Sequence, residues 1–129
     1  MSTLSTANIE SKAANTPPVI KDVNGTECGQ FCRAWANFNG AGTVSIRTSF
    51  NMASVTDNGT GDYTLTFINA MTDANYCVVC TTNESGNPNR SMVLRDDSAP
   101  VSTSVRVGTL RASTGESVDC DINSVAVFR

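Results

Sequence analysis

Five cysteines and twelve carboxylates are the candidates for metal, redox or acid–base chemistry in this 129-residue chain. Cys77 and Cys80 have the spacing of a zinc or dithiol motif, with Cys28, Cys32 and Cys120 elsewhere. The surrounding NYCVVCTT has the β-branched and aromatic content of a strand. Positions three apart on a strand point to opposite faces, and no Gly or Pro between the two thiols supplies the turn a chelate needs. A tetrahedral zinc site also needs two further ligands. Cys28 and Cys32 are four apart and no histidine supports them. All five are therefore read as small buried apolar residues. An odd number cannot pair completely within one chain. No metal or cofactor is expected.

The absence of histidine removes the commonest general base and the usual partner of a nucleophilic serine. Asp57 with Asp62, and Asp96 with Asp97, are spaced closely enough to consider paired-carboxylate hydrolysis. Both pairs fall in turn-forming stretches, where aspartate ordinarily hydrogen-bonds its own backbone. Asp119 and Asp121 are expected on one strand face, within reach of an arginine, and offer too few oxygens for calcium. The chain is not expected to be an enzyme.

The elements that would position these groups are strands. Apolar residues make up 40% of the chain and charged residues only 16%, with Ser, Thr, Asn and Gly filling the difference. That balance suits strands with one wet face joined by tight turns. The net charge is −3 and no basic run occurs, so a nucleic-acid surface is not expected. MSTLSTANIE lacks the basic start and apolar stretch of a signal peptide, and no window reaches transmembrane length. A soluble product made in a cytoplasm, with no membrane insertion, is expected.

Residues 31–38 alternate Cys32, Ala34, Ala36 and Phe38 against Phe31, Arg33, Trp35 and Asn37, the period of a strand. Trp35, the one tryptophan, is read as a packing residue, with ligand stacking as the alternative. Strands are also expected over 43–49, 63–67, 76–81, 91–95, 101–110 and within 118–128. Residues 76–81 are apolar on both faces and are expected at the centre of a sheet. Phe50 and Met52 share one parity and Val55 the other, so a bulge is expected near Ala53–Ser54. Asp57-Asn58-Gly59-Thr60-Gly61-Asp62 is the clearest hairpin turn. The fold class expected is all-β: a single antiparallel β-sandwich over residues 28–129, preceded by an extended arm over residues 1–27.

Two surfaces are candidates for binding. Loops 39–42, 57–62 and 83–90 are small and polar, and recognition commonly sits on such loops of a rigid scaffold. The candidate contact residues are Asn39, Asn58, Thr60, Asn83, Asn87, Asn89 and Arg90. In the arm, Pro17 and Pro18 favour extended backbone, and Val19 and Ile20 have little use in a solvated tail. These four are the candidate attachment residues.

The stretch AWANFNGAGTVSIRTSFNMASVTDNGTGDYTLTFINAMTDANY, starting at Ala34, resembles a module recurrent in virion proteins of tailed bacteriophages, including marine and cyanobacterial phages. The fibre-like and tail-associated members are the most similar. AW-x-NFNG, TDNGTGDYT and the closing VAVFR carry the resemblance together, across about residues 31–129. The Cys77–Cys80 pair is atypical of the module. The resemblance implies a homotrimeric tail fibre or tail-appendage protein that contacts a host-surface glycan or protein. Other virion proteins would hold its arm, and the protein would be made in the bacterial host cytoplasm and located in the virion. The alternative it leaves open is a capsid decoration protein that stabilises the phage head. It supplies no catalytic residues.

Overall fold

The computed structural model describes residues 9–10, 17–95 and 97–129. The chain divides into two compact units, Met1–Phe31 and Cys32–Arg129.

In the first unit a short hairpin pairs β1 (Ile20–Lys21) with β2 (Glu27–Gly29). Asp22 closes the turn, its Oδ1 accepting the N–H groups of Asn24 and Thr26, both at 2.9 Å. Gly25 takes φ +81° there, a conformation that costs glycine little. Of the candidate attachment residues, Pro17 and Pro18 are half-buried, and Val19 and Ile20 are exposed. Residues 1–8 and 11–16 of the expected arm lie outside the described residues. Residues 20–29 form a hairpin, because Asp22 and Gly25 supply a turn.

The second unit is an antiparallel β-sandwich. Its strands are β3 (Cys32–Asn39), β4 (Ser45–Phe50), β5 (Met52–Gly59), β6 (Asp62–Phe67), β7 (Cys77–Asn83), β8 (Arg90–Leu94), β9 (Ser104–Arg111) and β10 (Ile122–Phe128). One sheet has the order β4-β3-β10-β7, the other β5-β6-β9-β8. No helix occurs among the described residues.

The alternation expected in β3 puts Ala34, Ala36 and Phe38 inside. Val125 and Val127 of β10 lie beside them, and Tyr63, Leu65, Phe67, Val105 and Val107 face them from the second sheet. Phe38 and Tyr63 meet edge to face, with ring centroids 5.2 Å apart. Each such fully buried side chain contributes on the order of 1.5–3 kcal/mol.

The expected bulge occurs in β5, where the register with β6 shifts between Met52 and Ser54. Phe50 and Met52 nevertheless part company: Phe50 is exposed and Met52 buried. Asn51 between them has φ +54°, a left-handed kink that carries the chain from one sheet to the other. Its amide holds the corner, donating to the carbonyls of Arg33 (3.0 Å) and Asn69 (3.1 Å) and accepting from Asn69 N–H (2.7 Å).

Three expectations are corrected. β7 is an edge strand, not a central one. Both its faces are apolar because its outer side belongs to an exposed apolar row. Trp35 is not inside; it lies on the outer face of its sheet and remains 37% exposed. The cysteines are not uniformly buried: Cys120 is, Cys32 and Cys80 are half-buried, and Cys28 and Cys77 are exposed.

Candidate functional site

The connections after β3, β5, β7 and β9 gather at one end of the sandwich, and the segment 112–121 ties them together. Gly40 N–H donates to the Cys120 carbonyl at 3.0 Å. Asp119 Oδ1 accepts from Gly61 N–H (2.7 Å) and from the Tyr63 hydroxyl (3.1 Å). That hydroxyl also lies 2.9 Å from the Gly40 carbonyl. Asp121 Oδ1 accepts from Ser85 N–H at 3.2 Å, and Ala112 N–H donates to the Asn89 carbonyl at 3.2 Å. Burial raises the Tyr63 pKa strongly, so its hydroxyl keeps its proton and remains a donor.

This end therefore brings together all three loops singled out in the sequence. Their residues divide by role. Asn39 is committed to its own turn, donating to the carbonyls of Ala41 (2.6 Å) and Thr43 (3.0 Å). Arg90 is structural: its side chain is only 3% exposed and is paired with Glu84, Nε donating to Oε2 at 2.6 Å. Asn58 is exposed and spans Thr64 Oγ1 (2.8 Å) and Asp62 Oδ1 (3.3 Å). Asn83 is exposed and accepts Glu84 N–H at 2.9 Å. Thr60, Asn87 and Asn89 are exposed. What the end offers to solvent is a set of amides and hydroxyls.

Among the described residues, the carboxylates considered for catalysis have structural partners. Asp57 accepts Gly59 N–H at 2.9 Å inside the turn. Asp62, 7% exposed, forms a two-pronged pair with Arg106, at 2.8 Å from Nε and 2.6 Å from the terminal nitrogen. That pairing holds its carboxyl below the ordinary carboxylate range. Asp97 lies near both Arg95 (3.5 Å) and Arg106 (3.7 Å); Asp96 lies outside the described residues. Asp119 and Asp121 stand in the loop before β10 rather than on a strand. They accept backbone and tyrosine donors there, and Arg47 reaches the Asp121 carbonyl, not its carboxylate. Among the described residues no three His, Cys, Asp or Glu side chains gather as a metal site, and no helix is long and apolar enough to cross a membrane.

The two outer faces of the sandwich differ sharply. On the β5-β6-β9-β8 sheet the outside carries the Asp62–Arg106–Arg95–Asp97 charges. Gly108 there lets Arg95 lie flat, since a Cβ would come within 2.8 Å of Arg95 Cδ. On the other sheet, Phe50, Trp35, Ala126 and Val79 are direct register partners across all four strands. Directly paired residues share a face, so they form one apolar row. Phe50 and Val79 are 55% and 58% exposed. Beside the row run Thr48, Asn37, Ser124 and Thr81, again in register.

Ala126 and Ser124 of β10 are small, whereas Trp35 and Asn37 stand on one side and Val79 and Thr81 on the other. A groove of about 330 Å³ results over β10. Sequence reasoning missed this face. The signal was present in the two-sided apolarity of residues 76–81, which central burial accounts for equally well.

The chain matches no protein-family model, no curated protein and no solved structure.

Proposed function

We propose that the chain is a structural protein of a tailed-phage virion, a homotrimeric tail fibre or tail appendage that recognises the host surface. The observation that carries this reading is the loop end of the sandwich. Three connections converge there on the fourth, through hydrogen bonds to Asp119, Cys120 and Asp121. They present Asn58, Thr60, Asn83, Asn87 and Asn89 outward. Amides and hydroxyls match the donors and acceptors of a glycan, and the hydrogen bonds that already hold Asn58 and Asn83 lower the ordering cost of binding. The resemblance of residues 31–129 to phage tail modules supports the same role.

Attachment to the rest of the particle falls to the arm over residues 1–27, which belongs to the separate unit Met1–Phe31. The role proposed is recognition and assembly, not catalysis.

Quantitative mass spectrometry of purified particles of the encoding virus tests this reading. A handful of trimers per particle is the expected result. Hundreds of copies would make the chain a head decoration protein instead, and absence from the particle would refute a virion role. The isolated protein is further expected to bind host cells; no binding across several host strains would refute recognition.

A further inference from the structure

We propose that the outer face of the β4-β3-β10-β7 sheet is where copies of this chain meet, with Phe50 of one copy seated in the groove over Ala126 of the next. The choice of three copies rests on the virion reading above; the choice of face does not.

The two outer faces of the sandwich contrast. One is charged and suited to water. The other carries the row Phe50–Trp35–Ala126–Val79 across its whole width. An antiparallel sheet with one solvated face normally alternates apolar inside with polar outside, and contiguous exposed apolar patches mark interaction sites.

Four strands at about 4.8 Å spacing span about 19 Å. The seven residues of β10 extend about 23 Å at roughly 3.3 Å each. The face is therefore about 440 Å² per copy as a flat footprint. Three copies facing one axis bring together about 1,300 Å² in all, about 440 Å² at each seam, before side-chain relief and the insertion of Phe50 are added.

The face also complements itself in shape. Phe50 projects one strand to one side of Trp35, and the groove over Ala126 lies one strand to the other side. A rotation axis running along the strands above Trp35 carries the projection of each copy toward the groove of its neighbour. Such a contact closes into a ring when the rotation closes. Three sheets facing one axis then enclose the Trp35 rings at the centre. The same face suits a second copy better than a sugar, because its apolar row extends over all four strands while a single aromatic would suffice to stack one ring.

Native mass spectrometry of the full chain tests the proposal, alongside Trp35 emission, which reports the face directly because the chain has one tryptophan. The wild type is expected at three times the 13.6 kDa chain mass, with blue-shifted emission that moves red on dilution. Ala126→Arg fills the groove and Phe50→Ser removes the projection. Each is expected to lower the mass threefold with far-UV circular dichroism unchanged. Leu94→Ser, which alters an exposed apolar residue on β8 of the other sheet, is expected to leave the trimer intact. Phe50 is exposed, so its substitution keeps the test valid should Ala126→Arg misfold.

A trimer that survives both face variants overturns the face and leaves the virion reading standing. A wild-type monomer with blue emission means the chain covers its own face, and overturns the proposal. So does a monomer whose Trp35 emission shifts only with added host glycan, since the face is then a sugar site. Copy number in particles is unaffected by any of these results, so the two readings fail separately.

Discussion

Tyr63→Phe is expected to destabilise the protein by about 2 kcal/mol. The ring is fully buried and packs on Phe38, and phenylalanine preserves both features. Only the hydroxyl is lost. Its one proton is shared between the Gly40 carbonyl at 2.9 Å and Asp119 Oδ1 at 3.1 Å. A hydrogen bond to a charged acceptor contributes about 1.5–3 kcal/mol, and a buried acceptor left short of a donor adds to the cost. With a urea m-value of about 2 kcal/mol/M, the unfolding midpoint falls by about 1 M at matched protein concentration. Asp119→Ala removes the same partner together with the acceptor of Gly61 N–H. The double variant is therefore expected to show a coupling of about 1 kcal/mol. Proteolysis in segments 40–43, 59–61 and 112–121 rises in all three variants, because this junction holds those loops together. A loss below about 0.5 kcal/mol for Tyr63→Phe, or no coupling, would refute the tie as the organiser of the loop end.

Gly61→Ala is expected to be more damaging than an ordinary loop substitution. Gly61 has φ +63°, and an added Cβ would come within 2.5 Å of the Thr109 carbonyl and 2.7 Å of Val118 N; thermal melting checks this, with a large drop in Tm expected. Stability is expected to fall as pH drops below about 4. The pairing with Arg106 lowers the folded-state pKa of Asp62, so its contribution is complete above the unfolded value and lost as pH passes down through the folded one. Asp62→Asn should flatten that acid limb in pH-dependent urea melts. At the alkaline side, burial pushes Tyr76 up to about 12 from 10.0. The stability it contributes is present below pH 10 and lost as pH rises toward 12, and Tyr76→Phe should remove that loss. Thiol labelling of the native protein is expected to modify Cys28 readily and Cys120 only on unfolding; Cys77 should react in the monomeric Ala126→Arg variant and be protected in the trimer.

The strands were legible where alternation had one apolar side. Residues 62–67 show it, and their inward face is the one the pattern implied; for residues 32–39 the pattern gave the strand and its two sides but not which of them is buried. The β5 bulge followed from the parity change after Met52, and the 57–62 hairpin from its glycines. Alternation separates two faces but does not say which is wet when both are apolar. For that reason Trp35 and β7 were misplaced. The corner at Asn51 was not legible either, because a left-handed non-glycine residue leaves no mark in a polarity pattern. The loop tie was hidden differently: Asp119 and Asp121 draw their meaning from Gly61, Tyr63 and Ser85, all more than thirty residues earlier in the chain. The candidate loops themselves could be found from turn chemistry, but their convergence on one end is a property of strand direction. Arg90 and Asn39 looked available as contact residues because sequence does not reveal that Glu84 and the 41–43 backbone already occupy them.

Electron microscopy of purified particles, gold-labelled with an antibody to the exposed 83–90 loop, tests the central claim most directly. Label confined to the tail or its appendages is the result expected of a host-recognising virion module. Particles that carry no label anywhere, from a preparation in which the free protein labels normally, would contradict it.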